Sequence, residues 1–218
     1  MKIAIVKGRA WNLRVQAHCS MFPRVFLAVM WVGLMVVPGY AGAPTDRMKT
    51  TIDEVMRILR DKELKQPGKA EERRRQLEKV VEARFDYQEM SRRALGAPWN
   101  SLSDQEKQEF VGLFRTLLTN TYAERIETYS GEGVQYVNER TENDYAEVRT
   151  RVLSGKTEVP LDYRLIHKAE DWRVYDVVVD GVSLVNNYRG QFTKILREST
   201  YSDLVDQLRK KSEKLKSP

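Results

Sequence analysis

Apolar positions change their spacing twice along this chain, and the changes divide it into helices, then strands, then helices. Met48, Ile52, Val55, Met56 and Leu59 recur at three- and four-residue steps, the spacing of one helical face. Pro67-Gly68 breaks the pattern, and Leu77, Val80, Val81 and Phe85 resume it in a second helix. A short third helix over 87–95 stops at Gly96-Ala97-Pro98. Ser103 and Glu106 then have the spacing of a capping box, in which the serine accepts from a free backbone N–H and the glutamate reaches back. The helix it opens is long. Phe110, Leu113, Phe114, Leu117, Leu118, Thr121, Tyr122, Ile126 and Tyr129 form one stripe, and a helix over 104–129 measures about 39 Å at 1.5 Å per residue.

At Gly131 the period falls from 3.6 to 2. Val134, Tyr136 and Asn138 alternate in a first strand. A second over 145–153 puts Ala146, Val148, Thr150 and Val152 on one face, a third over 159–167 aligns Leu161, Tyr163 and Leu165, and a fourth covers 172–179. The turns between them, at Asn143-Asp144, Ser154-Gly155-Lys156 and Ala169-Glu170-Asp171, are too short for anything but an antiparallel meander. After Asp180-Gly181 a helical stripe returns with Leu184, Val185, Tyr188, Phe192, Ile195 and Leu196. A last helix carries Leu204, Val205 and Leu208 ahead of a charged tail over 210–216. The expected fold is α+β, a four-stranded antiparallel meander packed against several helices, in one domain over 44–218.

The first residues read differently. Positions 1–24 are basic and polar, 25–37 is an unbroken apolar run, and Gly39-Tyr40-Ala41 and Ala41-Gly42-Ala43 are small-x-small sites. Thirteen apolar residues fall short of the roughly 20 that a membrane-spanning helix needs. The segment 1–43 is expected to be a cleaved export signal, cut after Ala41 or Ala43, with an uncleaved interfacial anchor as the alternative. Cys19 precedes the apolar run, whereas a lipid-modified cysteine would follow it.

This segment also changes the meaning of the charge. The formal net charge is +6, but five basic residues and no acid lie before Pro44. The remainder has thirty-two basic against thirty-one acidic residues, too even to argue for nucleic acid.

Candidate chemistry is sparse. The histidines are His18, within the signal, and His167, isolated at a strand end, so neither a histidine–cysteine metal set nor a histidine-activated nucleophile can be assembled in the domain. No GxSxG, Walker or GxGxxG motif occurs. Asp176, between apolar neighbours in Val174-Tyr175-Asp176-Val177, could act as a buried general base in a cone-shaped isomerase fold, or serve as a structural carboxylate. The sequence is richer in large apolar side chains on elements that should face one another. Whether these close into packed core, as in an adaptor that binds no small ligand, or leave a cavity, periodicity leaves open.

Three clusters carry a family resemblance. The first is Phe85-Asp86 with Met90-Ser91-Arg92-Arg93-Ala94-Leu95-Gly96 and Trp99. The second is Phe110 with Phe114-Arg115-Thr116-Leu117-Leu118 and Thr121-Tyr122-Ala123. The third runs from Trp172-Arg173-Val174-Tyr175-Asp176-Val177 through Asp180-Gly181-Val182-Ser183-Leu184-Val185 to Asn186-Asn187-Tyr188-Arg189-Gly190-Gln191-Phe192. In this order, behind an export signal, they resemble the MlaC-type periplasmic phospholipid-binding proteins, also called toluene-tolerance auxiliary components. The resemblance implies an NTF2-like cone with a hydrophobic cavity, a glycerophospholipid as cargo, no cofactor and no catalysis. It implies a periplasmic monomer that passes lipid between an outer-membrane lipoprotein–porin complex and an inner-membrane substrate-binding, permease and ATPase complex, maintaining outer-membrane asymmetry. Lining residues are then expected at Phe114, Leu118 and Tyr122 on the long helix, Val148, Tyr163, Val174 and Val178 on the strands, and Tyr188 and Phe192 on the penultimate helix. Positions 114, 118 and 122 stack at i, i+4 spacing and 174 and 178 share a strand face, although Tyr175, Val177 and Val179 make the opposite face apolar too.

Overall fold

The computed structural model describes residues 43–129 and 133–214; apart from Ala43, the expected export signal lies outside the described residues. Helices α1 (Pro44–Arg60), α2 (Ala70–Arg84), α3 (Tyr87–Leu95) and α4 (Asp104–Glu127) precede strands β1 (Gly133–Glu142), β2 (Tyr145–Ser154), β3 (Thr157–Lys168), β4 (Asp171–Val179) and β5 (Val182–Ser183). Helices α5 (Leu184–Glu198) and α6 (Tyr201–Lys214) follow. Local chemistry starts these helices where the spacing predicts. Pro44 occupies the first turn of α1, where its missing N–H costs nothing. Ser103 Oγ accepts from Glu106 N at 3.3 Å while Ser103 N donates to Glu106 Oε2 at 2.8 Å, completing the capping box. Asp86 and Ser183 cap α3 and α5 in the same manner.

The sheet is antiparallel throughout, in the order β1-β2-β3-β4-β5. The fifth strand is a correction to the expected four. Asp180 and Gly181 both have positive φ, 49° and 78°, and fold Val182 and Ser183 back against Val179 and Val178. Two residues are too short to leave a period in the sequence.

Two bulges break the alternation that sequence reading assumes. In β1 the register slips between Tyr136 and Asn138, so Val137 is surplus and stands exposed. In β4 it slips at the pairing with Arg164 and Leu165: Leu165 faces Val174 while Arg164 faces Asp176, leaving Tyr175 as the extra residue. The inner face of β4 is therefore Trp172, Val174, Val177 and Val179. Tyr175, Asp176 and Val178 stand on the outer face.

The core has three parts. Phe110, Phe114, Tyr188 and Phe192 form an aromatic cluster among α3–α6, with ring centroids 5.2–6.0 Å apart. Met48 packs with Ala146, Val148, Leu165, Trp172 and Val174 over one half of the sheet. Met56, Ile58, Leu59, Leu64 and Leu77 join α1 to α2. A half-buried guanidinium ties these helices to the sheet: Arg84 donates to Thr51 Oγ1 at 3.0 Å, to Asp171 at 3.0 and 3.1 Å, and to the Trp172 carbonyl at 2.6 Å.

Candidate functional site

Between α1, α2 and α4 on one side and the inner face of the sheet on the other lies a cavity of about 380 Å3. Its lining on α1 runs from Met48 through Ile52 and Val55 to Leu59, and on α4 from Leu118 through Tyr122 to Ile126. At 1.5 Å per residue the α1 wall is about 16 Å long. The sheet supplies Val134, Val152, Leu161, Tyr163, Val177 and Val179 across four strands, a width of roughly 14 Å at 4.8 Å between strands. This is a long apolar slot rather than a pocket shaped around a small polar molecule.

Its charged lining residues all belong to α2 and α4. They are Arg74 and Glu78 on one helix, Arg125 and Glu127 on the other, and Glu78 and Arg125 are exposed, so the slot opens where these helices face each other. Arg74 Nη2 donates to Asn120 Oδ1 at 2.7 Å, and Arg73 pairs with Glu127 at 3.5 Å. Arg125 has neither ion pair nor hydrogen bond among the described residues. Tyr87, Tyr122 and Tyr163 stay protonated at neutral pH. Burial pushes Tyr163 and Tyr122 above the ordinary tyrosine value, and burial carries Tyr87 to about 12 against the lowering effect of its hydrogen bond with Thr119. Tyr129 also lines the slot, its hydroxyl donating to Gly133 O at 2.8 Å and accepting from Gly133 N at 3.0 Å.

Of the residues expected to line a cavity, the structure brings Leu118, Tyr122 and Tyr163 to this one. Phe114, Tyr188 and Phe192 lie in the aromatic cluster instead. The i, i+4 stripe on α4 explains the split: each four-residue step rotates about 40° around a helix axis, so the stripe winds from that cluster at Phe110 and Phe114 to the slot at Leu118 and Tyr122. Val148 and Val174 do face inward, but in the half of the sheet that Met48 and Phe85 cover. Val178 is on the outer face, because the bulge at Tyr175 shifts the alternation and gives the wall to Val177 and Val179.

Sequence reasoning missed the contribution of α1 and α2: Met48, Ile52, Val55, Met56, Leu59, Leu77 and Val81 line the slot. Their helical periodicity was legible as an apolar face; what that face meets was not.

Asp176 does not face the cavity. Its carboxylate, 3% exposed as a residue, lies on the outer side of the sheet and accepts from Arg164 Nη1 at 3.1 Å, Ser183 Oγ at 2.6 Å and Val185 N at 3.0 Å. It joins β3, β4 and the start of α5, which is the structural alternative. His167 packs at a tilt of 52° against Trp172, with ring centroids 5.0 Å apart. No group of three or more His, Cys, Asp or Glu among the described residues could hold a metal ion.

A five-stranded antiparallel sheet, helices across its inner face and an elongated apolar slot between them define the class: a small α+β protein built around an internal cavity. The chain belongs to the MlaC protein family, whose profile matches residues 49–210. It is 24% identical over 122 residues to the intermembrane phospholipid transport system binding protein MlaC of Haemophilus influenzae, covering 53% of this chain and 57% of that relative. The alignment thus spans little more than half the length of the curated relative. Its fold matches that of the phospholipid-binding protein from Ralstonia solanacearum, solved in complex with a phospholipid, with a TM-score of 0.72 and 26% identity over 80% of this chain and 99% of that one.

Proposed function

We propose that the slot holds the acyl chains of a glycerophospholipid and that the protein is a periplasmic shuttle. It carries lipid between an outer-membrane lipoprotein–porin complex and an inner-membrane substrate-binding, permease and ATPase complex, as a monomer and without catalysis. The observation that carries this reading is the slot itself, apolar over about 16 Å and opening between helices whose charged side chains edge the mouth. The phospholipid bound by the Ralstonia relative supports it. No helix among the described residues is long and apolar enough to cross a membrane.

The energetics restrict how such a shuttle works. Each buried methylene is worth about 0.8 kcal/mol, so one chain of roughly sixteen carbons represents about 12 kcal/mol of gross transfer. Release into water is closed on that scale. Delivery is an exchange in which an acceptor cavity or bilayer recovers the same burial, and contact with the acceptor biases a small difference. The test is native mass spectrometry of the protein purified from its own periplasm. Co-purified phospholipid, removed by detergent and restored by vesicles, is the expected result. A protein without lipid that also takes none from vesicles would overturn the reading.

A further inference from the structure

On the sheet face turned away from the slot, α3, β3, β4 and the start of α5 enclose a polar hollow of about 280 Å3, lined chiefly by Arg93, Arg164, Tyr175, Asp176, Asn186 and Arg189. Most of these residues fall within the sequence clusters described above, and none of them lines the slot.

Three guanidiniums converge here and are unequally satisfied. Arg164 donates to Asp176 at 3.1 Å and approaches Glu147 at 3.5 Å. Arg93 shares the Glu89 carboxylate with Arg92, donates from Nη2 to the Tyr145 hydroxyl at 3.4 Å and lies over the Tyr175 ring at 4.1 Å, with its Nη1 in no hydrogen bond to the described residues. Stacking fixes the guanidinium plane while leaving donors on its edge. Arg189 has neither ion pair nor hydrogen bond among the described residues. It lies along bare backbone, since a Cβ on Gly96 would come within 3.4 Å of its Nε. The carboxylate inside the hollow is already used, with three donors on Asp176, and the first N–H groups of α5 are taken by Asp176 and Ser183. Cationic donors therefore outnumber acceptors.

We propose that this hollow binds one carboxylate presented by an acidic segment of a partner protein, with Arg189 as the principal donor and Arg93 as the second. Arginine presents a planar fork that matches a carboxylate in two parallel hydrogen bonds. A membrane surface is the poorer occupant. Arg92, Arg93, Arg149, Arg164 and Arg189 stand among Glu89, Glu147, Asp162 and Asp176, a balance of one positive charge, so the face lacks the excess of basic over acidic residues that draws a protein to an anionic bilayer. The sheet separates the hollow from the slot, so this inference stands whatever the slot carries.

The test is an NMR titration of the purified protein with N-acetyl-tetraglutamate amide, with the tetraglutamine peptide as control. Saturable shifts are expected at the Arg189 Nε–Hε and Asn186 signals with the acidic peptide alone. Arg189→Gln should weaken binding about tenfold, the scale of a charge-assisted hydrogen bond, with thermal unfolding unchanged because the side chain is exposed; Arg189→Lys should restore part of it. Asn186→Asp, a substitution that suits a helix first turn, should weaken binding through repulsion if Arg189→Gln does not fold. Absence of saturable shifts, or equal binding by all variants, overturns the proposal. So does Arg189-dependent binding to vesicles containing anionic phosphatidylglycerol when the peptide does not bind.

Discussion

Val177→Trp is the sharpest perturbation of the slot, because the structure predicts opposite effects on stability and on cargo. Val177 is 7% exposed, pairs with Tyr163 and forms part of the apolar wall. An indole there extends into open volume, so the empty protein should lose little stability. The same change at Val148, which is fully buried in packed core, should overpack and cost about 1–3 kcal/mol. For a bound lipid the effect reverses. Tryptophan adds roughly seven non-hydrogen atoms over valine, and at about 0.8 kcal/mol per methylene this denies a ligand up to some 5 kcal/mol of gross burial. Even if half is regained by sliding the chain, about 2.5 kcal/mol remains, or near a hundredfold in affinity. Val178→Trp, one residue on and facing outward, is the control; it should disturb packing near β5 and leave lipid uptake alone. The assay is urea unfolding of delipidated protein together with quantitative lipid extraction after incubation with vesicles. If Val177→Trp keeps its lipid and loses stability as Val148→Trp does, the slot is not a binding site and the reasoning fails.

Three further expectations follow from the geometry. Asp176→Ala removes the acceptor of three donors and should destabilise the protein by about 2–4 kcal/mol in urea, with lipid uptake preserved at temperatures where the variant is folded; lost uptake at unchanged stability would mean that Asp176 acts in the slot. Glu89 is held at about 2, chiefly by its hydrogen bond with Arg92 and then by Arg93, against the opposing effect of burial. The folded value is depressed, so the stabilisation is present above the ordinary glutamate range and is lost as pH falls from about 4.5 towards 2. Melting temperature should fall through that window and fall less steeply in Glu89→Gln. Ser103→Ala removes one arm of the capping box and should cost about 1 kcal/mol, read as a lower melting temperature.

The order of elements was legible because its signals are local. The Ser103–Glu106 spacing begins α4 within one residue of where the sequence places it, and the change of period near Gly133 marks the sheet. The bulges were not legible. In β4 beyond Arg173 apolar residues stand on both faces, so alternation could not report that Tyr175 is surplus, and Val178 was assigned a wall that belongs to Val177 and Val179. The slot was half legible for a similar reason. Periodicity finds an apolar stripe but not its partner, so Tyr188 and Phe192, which pack against Phe114, look no different from Val55 and Leu59, which face open volume.

The extra residue in β4 makes the two faces of that strand separately editable. Tyr175 and Asp176 together oppose Arg164, and the pairings on either side, Leu165 with Val174 and Tyr163 with Val177, are those of an ordinary strand. Deleting Tyr175 would therefore restore a regular ladder without reversing a single inward side chain, and the outer hollow would lose the ring beneath Arg93. One codon stands between this chain and one with the same inner wall and an altered hollow, which gives a lineage, or an engineer, a way to change what the outside of the sheet recognises while the interior carries on unchanged.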